Sequence, residues 1–412
     1  MRLVAMAWRN IFRQKRRTLV ALSALIVGLC GLVIFQGYIG TMMKNFRDSV
    51  IMTGIGHIQV AGGGGYFEDG EFDPYAYAMR DTDKRIAAIA KEPGVQAAFP
   101  STGFTSIAGI GEKSATLLVK GYPIDRMWFA PQSAGGGSSD APKGKFTLGK
   151  LKAGNQLAPG DRDKIVLGET AARILGAKVG DVITLMAVLH EGGLNGRDFT
   201  VAAIYTSAGK DKLFAYTDYD SAVDFTGIAG APVIHVLAKD IGSTDAIVAG
   251  LPQGAAYRKW PQLATFFVQV NTMFSGFLAV IRAIILLITL FVLGNTMNRI
   301  VFERMREWGT LRALGTTKRD LLVLLVLEGS FLGLIGAAIG IALGFALSAL
   351  INLGPGLPFT LAGRAAMFIK LHPDFSALWI NLVPAVLVAG IASYFPGRRA
   401  VALTPSECLR QL

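Results

Sequence analysis

The 412-residue chain is 52% hydrophobic and 17% charged, with a mean hydropathy of +0.44 and a formal net charge of +12. That balance is too apolar for an ordinary soluble enzyme and fits a membrane protein with a sizeable soluble part. Residues 1–17, 296–320 and 396–412 hold fifteen basic and four acidic side chains, +11 of the total, so the basic excess is not the single contiguous face that nucleic-acid binding needs.

The elements follow in chain order. Residues 1–17 form a basic lead-in with Arg2, Arg9, Arg13, Lys15, Arg16 and Arg17 and no acid, before an uncharged stretch, residues 18–40. This first candidate span is too long for the apolar core of a signal peptide and no small-residue cleavage site follows it, so it is expected to stay as an anchor. Residues 41–261 mix β-branched runs with turn residues: strands are expected near 56–60, 115–119, 164–167, 181–185, 198–201 and 232–236, and helices near 83–91, 169–175, 219–225 and 243–250. The class is α+β, in one or two lobes. Glycine-rich residues 62–65 and 135–139 read as mobile loops. Residues 262–300 form a second span in which Arg282 is the only charge before Asn298. A charged island at 301–320 separates it from a third span, residues 321–351, whose only charge is Glu328. An outer loop, 352–374, an uncharged fourth span, 375–396, and a tail, 397–412, complete the chain. The expected fold is therefore membrane α-helical, with four transmembrane helices and a large α+β extracytoplasmic domain inserted between the first and second.

Charge sets the orientation. The positive-inside rule puts the three basic segments, and so both termini, in the cytoplasm. Cys30 lies in the first span and Cys408 in the tail, so they cannot pair with each other and the outer domain must be stable without disulfides. His57, His190, His235 and His372 are scattered without ligand spacing, and no metal site is expected. A phosphate-cradling loop needs Gly-Lys followed by Ser or Thr; here Gly144-Lys145, Gly149-Lys150 and Gly209-Lys210 run into Phe146, Leu151 and Asp211, so ATP binding by this chain is not expected.

The island Glu303-Arg304-Met305-Arg306-Glu307-Trp308-Gly309-Thr310-Leu311-Arg312-Ala313-Leu314-Gly315 carries most of the functional signal. On a short helix Arg304, Glu307 and Leu311 share one face and Trp308 and Arg312 an adjacent one, offering charges and apolar anchors to a partner. The alternative is a helix lying on the membrane surface, where Glu303 and Glu307 would be unwelcome beside anionic lipid. In the third span Gly329 and Gly333, then Gly336, Gly340 and Gly344, recur every four residues, a spacing that serves packing within a bundle or a permease dimer seam. Glu328 is an intramembrane charge and a functional candidate, or else bonds to nearby backbone. Arg282 is expected to snorkel outward. Pro384 is expected to bend the fourth span and Pro396 to end it.

Four separated motifs resemble the FtsX-like (MacB-like) permease family of ABC transporters. They are Ala7-Trp8-Arg9-Asn10-Ile11-Phe12-Arg13-Gln14-Lys15-Arg16-Arg17-Thr18, then Val166-Leu167-Gly168-Glu169 with Leu175-Gly176 and Val179-Gly180-Asp181, then the island, then Tyr394-Phe395-Pro396-Gly397-Arg398-Arg399-Ala400 with Thr404-Pro405-Ser406-Glu407-Cys408-Leu409-Arg410. The length without a fused ATPase, with residues 56–60 soon after the first span, is most like lipoprotein-releasing permeases of the LolC/LolE type. The resemblance implies a non-catalytic permease of the bacterial inner (cytoplasmic) membrane. Its partners would be an ABC ATPase dimer that holds the ATP and Mg, a second permease copy (the same chain or a paralogue), membrane lipids, a lipoprotein and a periplasmic carrier. No cofactor is expected in this chain. Glu303, Arg304, Arg306, Glu307, Trp308, Leu311 and Arg312 match the coupling helix of the family. Three functions remain open: extraction or export of an amphiphile such as a lipoprotein, FtsX-like signalling to an extracytoplasmic enzyme or MacB-like mechanotransmission for efflux, and a passive anchor. Phe35, Tyr38, Phe266, Phe267, Met273, Phe274 and Phe277 are the residues expected to line a substrate entry, unless they form an interfacial aromatic belt.

Overall fold

One long helix, a strand-rich segment and three further long helices follow one another along the chain, in a computed structural model that describes residues 6–7, 15–70, 73–124, 150–189, 192–206, 213–252, 254–359 and 367–402. Helix α1, Lys15–Val50, passes through a π-helical turn, Ile51–Ile55, into β1, Ile58–Ala61. Short helices α2, Tyr66–Asp69, and α3, Thr82–Ile89, precede β2, Val95–Ile110, and β3, Lys113–Tyr122. Then come β4, Lys150–Gly154, β5, Lys164–Gly168, and α4, Glu169–Leu175, followed by β6, Val182–Val188, β7, Leu194–Thr206, β8, Phe214–Asp218, and α5, Tyr219–Thr226. Strand β9, Val233–Ala238, α6, Thr244–Gly250, β10, Ala256–Lys259, and α7, Trp260–Leu263, lead to α8, Thr265–Glu303. The chain continues through α9, Met305–Ala313, α10, Lys318–Leu353, the hairpin β11, Leu357–Phe359, with β12, Met367–Ile369, and α11, Ser376–Ala402. The described residues divide into two units, Met1–Phe46 with Gln269–Leu412, and Arg47–Val268.

The unit Arg47–Val268 is built on one ten-stranded mixed sheet in the order β10-β1-β9-β2-β3-β8-β5-β7-β4, with β6 paired to β2 and β7. Strand β2 is the hinge of the arrangement: residues 95–101 pair with β9, residues 102–110 with β3, and residues 107–109 also with β6. Its Gly, Pro, Ser and Ala content reads as a turn in sequence, and the three partners override that weak propensity. Among the described residues, the two largest of four apolar clusters on the sheet are built as follows. One gathers Phe104, Phe199 and Phe225 with α4 and α5; the other gathers Ile58, Val60, Ile234 and Val236 with α3 and α6. Each fully buried aromatic side chain contributes roughly 1.5–3 kcal/mol. Helix α5 shows the local logic: the Asp218 carboxylate accepts from the N–H groups of Asp220 and Ser221 at 3.1 and 3.3 Å, and the helix stops at Gly227, φ +69. The glycine run 62–65 is not an open loop: a Cβ on Gly62 would stand 2.9 Å from the Tyr77 carbonyl carbon, so glycine there allows two backbones to meet.

Among the described residues four helices, α1, α8, α10 and α11, are long and apolar enough to cross a membrane. In the unit that holds them α10 is central. A Cβ on Gly336, Gly340 or Gly344 would lie 2.9 Å from Leu25 Cδ2, 2.8 Å from Ile26 O and 2.7 Å from Val33 Cβ, all on α1. Gly329 and Gly333 face Ala389 and Ser393 of α11 instead. The glycine stripe is thus consumed inside one chain, three residues against α1 and two against α11. Pro396 does not end the last helix, which runs on to Ala402. Gly397 packs on Leu322 and Leu325, and Ala400 and Val401 are buried, so tertiary packing offsets the hydrogen bond that proline removes.

Candidate functional site

The island forms an elbow between two long helices. Arg304, with φ −105°, breaks the helical path after α8, and α9 starts at the next residue. Helix α9 ends in a Schellman motif: Gly315 takes φ +96°, its N–H donates to Arg312 O, and the Thr316 N–H donates to Leu311 O, both at 3.1 Å. Thr317 then caps α10, its hydroxyl oxygen accepting from the Asp320 N–H at 3.1 Å. Four residues, 314–317, therefore join α9 to α10 in a defined geometry.

Arg304 ties the elbow down. Its Nε donates to Glu307 Oε2 at 2.8 Å, its Nη1 stands 3.4 Å from both carboxylate oxygens of Glu328 on α10, and its guanidinium lies 4.4 Å from the Trp308 ring centroid. Trp308 is almost fully buried among Val301, Leu321, Leu324, Leu325, Ala400, Val401 and Ala7. The Arg312 guanidinium donates to Val401 O at 3.3 Å, near the end of α11. The elbow is thereby held by α8, α10 and α11 together.

These contacts revise the sequence reading. Trp308 and Arg304 are not anchors presented to a partner; they face inward, because the rotation at Arg304 turns the indole into the space between the helix ends. Glu328 meets Arg304 of the island itself. Leu311 and Arg312 are half-buried, and Glu303, Arg306 and Glu307 are exposed. Leu314, 80% exposed at the corner, escaped the sequence reading although a leucine just before a helix-stopping glycine has no helical face to bury it.

Other candidates are placed as follows. Arg282 joins a polar chain between helices: its Nε donates to Asn381 Oδ1 at 3.1 Å, and the Asn381 amide donates to Gln36 Oε1 at 2.9 Å, linking α8, α11 and α1. Among the entry-site candidates, Phe35, Phe266, Met273 and Phe277 are exposed, Tyr38 and Phe274 are half-buried, and Phe267 is buried edge-on against Trp260 at 5.4 Å. His57 and His235 are buried, His372 is exposed, and among the described residues no three His, Cys, Asp or Glu side chains gather as a metal site would require. Most of the motif at 7–18, the loop 135–139, His190, the three Gly-Lys pairs' surroundings before Lys150 and at 209–210, Cys408 and the motif at 404–410 lie outside the described residues.

Two family models match the chain: the MacB-like periplasmic core domain over residues 18–253, and the FtsX-like permease C-terminal over residues 264–405. Among curated proteins, an uncharacterized ABC transporter permease of Methanocaldococcus jannaschii is 28% identical over 63% of this chain and 65% of its own length. The lipoprotein-releasing system transmembrane protein LolC of Neisseria meningitidis is 22% identical over 95% of this chain and 94% of its own. A macrolide export ATP-binding/permease protein MacB of Yersinia pestis is 23% identical over 97% of this chain, which spans 56% of that longer protein. With one model covering more than half of its residues and the other most of the rest, the chain belongs to the FtsX-like/MacB-like family of ABC transporter permeases.

Proposed function

We propose that this chain is the permease subunit of an ABC transporter, coupling ATP hydrolysis by a separate ATPase dimer to the extraction or export of an amphiphile, namely lipoprotein release from the bacterial inner membrane. The observation that carries the reading is the two-sidedness of the elbow: an outward surface of Glu303, Arg306, Glu307 and Leu314, and an inward surface wired through Arg304, Glu328 and Trp308 to the long helices. A load applied to the outward surface moves α10 as a lever, since the Schellman turn and the Thr317 cap leave little slack between α9 and α10. In this reading the permease performs no chemistry, ATP and Mg sit in the partner, and both termini are cytoplasmic. A second permease copy and lipid share the apolar surface of α8, whose side chains are exposed along most of its length. Similarity along nearly the whole of a LolC protein supports lipoprotein cargo.

The test is photocrosslinking from positions 35, 266 and 277 in membranes containing lipoprotein, with and without ATP. ATP-sensitive crosslinks to lipoprotein support extraction. Crosslinks to bulk phospholipid alone, unchanged by ATP, would transfer the case to signalling.

A further inference from the structure

Arg282 is the only charged residue between Trp260 and Asn298, and the fold holds it in place without neutralising it. Its Nε donates to Asn381 Oδ1 at 3.1 Å, and the almost fully buried Asn381 donates in turn to Gln36 Oε1 at 2.9 Å. The side chain is thus fixed through one nitrogen, which leaves the two terminal nitrogens to present the parallel N–H pair that grips an oxyanion. Among the described residues no carboxylate acts on it. A charge within a membrane helix marks a functional site by default, and its partner has to be named.

Helix length gives the depth of the group. Arg282 and the exposed Arg299 are 17 residues apart on α8, and Asn381 and the exposed Arg398 are 17 residues apart on α11, about 25 Å of helix in each case. A hydrocarbon core is about 30 Å thick. With Arg299 and Arg398 at the cytoplasmic boundary, as the charge asymmetry sets, Arg282 stands at the opposite boundary, near the height of outer-leaflet phosphates. Side chains lean toward the N-terminus of their helix, which for α8 is the outward end. One and two turns that way Ala279 and Ser275 are exposed and small, leaving room beside the guanidinium for a headgroup. Toward the midplane Ile284, Leu287, Ile288 and Phe291, each at least half exposed, form one apolar stripe at i, i+3, i+4 and i+7.

We infer that Arg282 binds the phosphate of an anionic phospholipid in the outer leaflet, whose acyl chains run down this stripe. The inference rests on the reading of α8 as lipid-facing. An uncompensated guanidinium calls for a ligand of net negative charge, which an anionic lipid supplies and a zwitterionic lipid, carrying its own amine, does not. A second copy of this chain offers no carboxylate at this depth: the spans at 18–40, 262–300, 321–351 and 375–396 contain only Glu328, which meets Arg304 on the cytoplasmic side.

Native mass spectrometry of the full chain, released from a non-ionic detergent micelle, tests this with dioleoyl phosphatidylglycerol and separately with dioleoyl phosphatidylcholine. One phosphatidylglycerol per chain is expected to stay bound at the lowest lipid concentrations, about tenfold or more tighter than in Arg282→Gln. Arg299→Gln, which removes an exposed cation from the other end of the span, should keep that lipid. Arg282→Lys separates charge from packing: the ammonium retains the attraction and loses the two-pronged fit, so binding should fall between the parent and Arg282→Gln. Melting midpoints without lipid check that the variants fold; if Arg282→Gln does not, the preference of the parent and of Arg282→Lys for phosphatidylglycerol over phosphatidylcholine carries the test. Equal retention of the two lipids, retention unaltered in Arg282→Gln, or Arg282→Lys binding as weakly as Arg282→Gln overturns the inference. None of these outcomes alters the lipoprotein crosslinking result, so failure here is distinct from failure of the cargo reading.

Discussion

Arg304 and Glu328, twenty-four positions apart in sequence, place a guanidinium nitrogen 3.4 Å from both oxygens of a carboxylate that is almost fully buried. A charge so placed is tolerable only while its partner is present, because the effective desolvation penalty is several kcal/mol per ion. Arg304→Ala or Glu328→Ala alone is expected to destabilise the permease by about 3–5 kcal/mol. Arg304→Met with Glu328→Leu should cost clearly less than the sum of the two single changes. Thermal unfolding in detergent of the two single variants and the double variant measures this coupling.

The two sides of the elbow should separate in mutagenesis. Arg306→Glu with Leu314→Asp leaves the melting midpoint within about 0.5 kcal/mol of the parent, as exposed substitutions do, and abolishes co-purification of the ATPase. Trp308→Ala empties a packed site and lowers stability by about 3–5 kcal/mol whether or not the ATPase is present. Melting curves and pull-down of the same three proteins check both statements.

Gly340→Val should destabilise the helical unit, since its Cβ would stand 2.8 Å from Ile26 O and its methyls have nowhere to go. Overpacking of this kind costs about 1–3 kcal/mol. Gly31→Ala, on a helix position where a Cβ meets nothing within 4 Å, should be neutral or slightly stabilising. Reversal of that order in thermal melts would contradict the packing of α10 on α1.

Acid should loosen the strand-rich unit through His235, whose folded-state value is lowered to about 4 from 6.5 by burial. Above 6.5 both states are neutral and stability is flat. As the pH falls from 6.5 toward 4 the unfolded chain takes up a proton that the folded chain refuses, and about 2 kcal/mol is lost between pH 7 and pH 5. His57, lowered by burial as well, acts in the same direction. His235→Gln should flatten the dependence of melting midpoint on pH across this window.

The long apolar runs, their charge asymmetry, the four-residue glycine spacing and the strands near 58, 115, 165, 183 and 234 were legible because each is a local pattern: length, period or propensity. Asp218 and Gly227 likewise mark the two ends of α5 by chemistry confined to that helix. Strand β2 was not legible, since its residues favour turns and only three partners make it a strand. The same limit governs the site. The island announced a short helix with a glycine stop, yet which side faces outward depended on the single non-helical residue Arg304, whose rotation buries Trp308 and exposes Leu314. The partners of Glu328 and Arg282 lie 24 and 99 residues away, distances at which sequence carries no geometry. Local periodicity therefore determined the elements and their charge, and the packing of helix against helix and strand against strand decided where each functional side chain points.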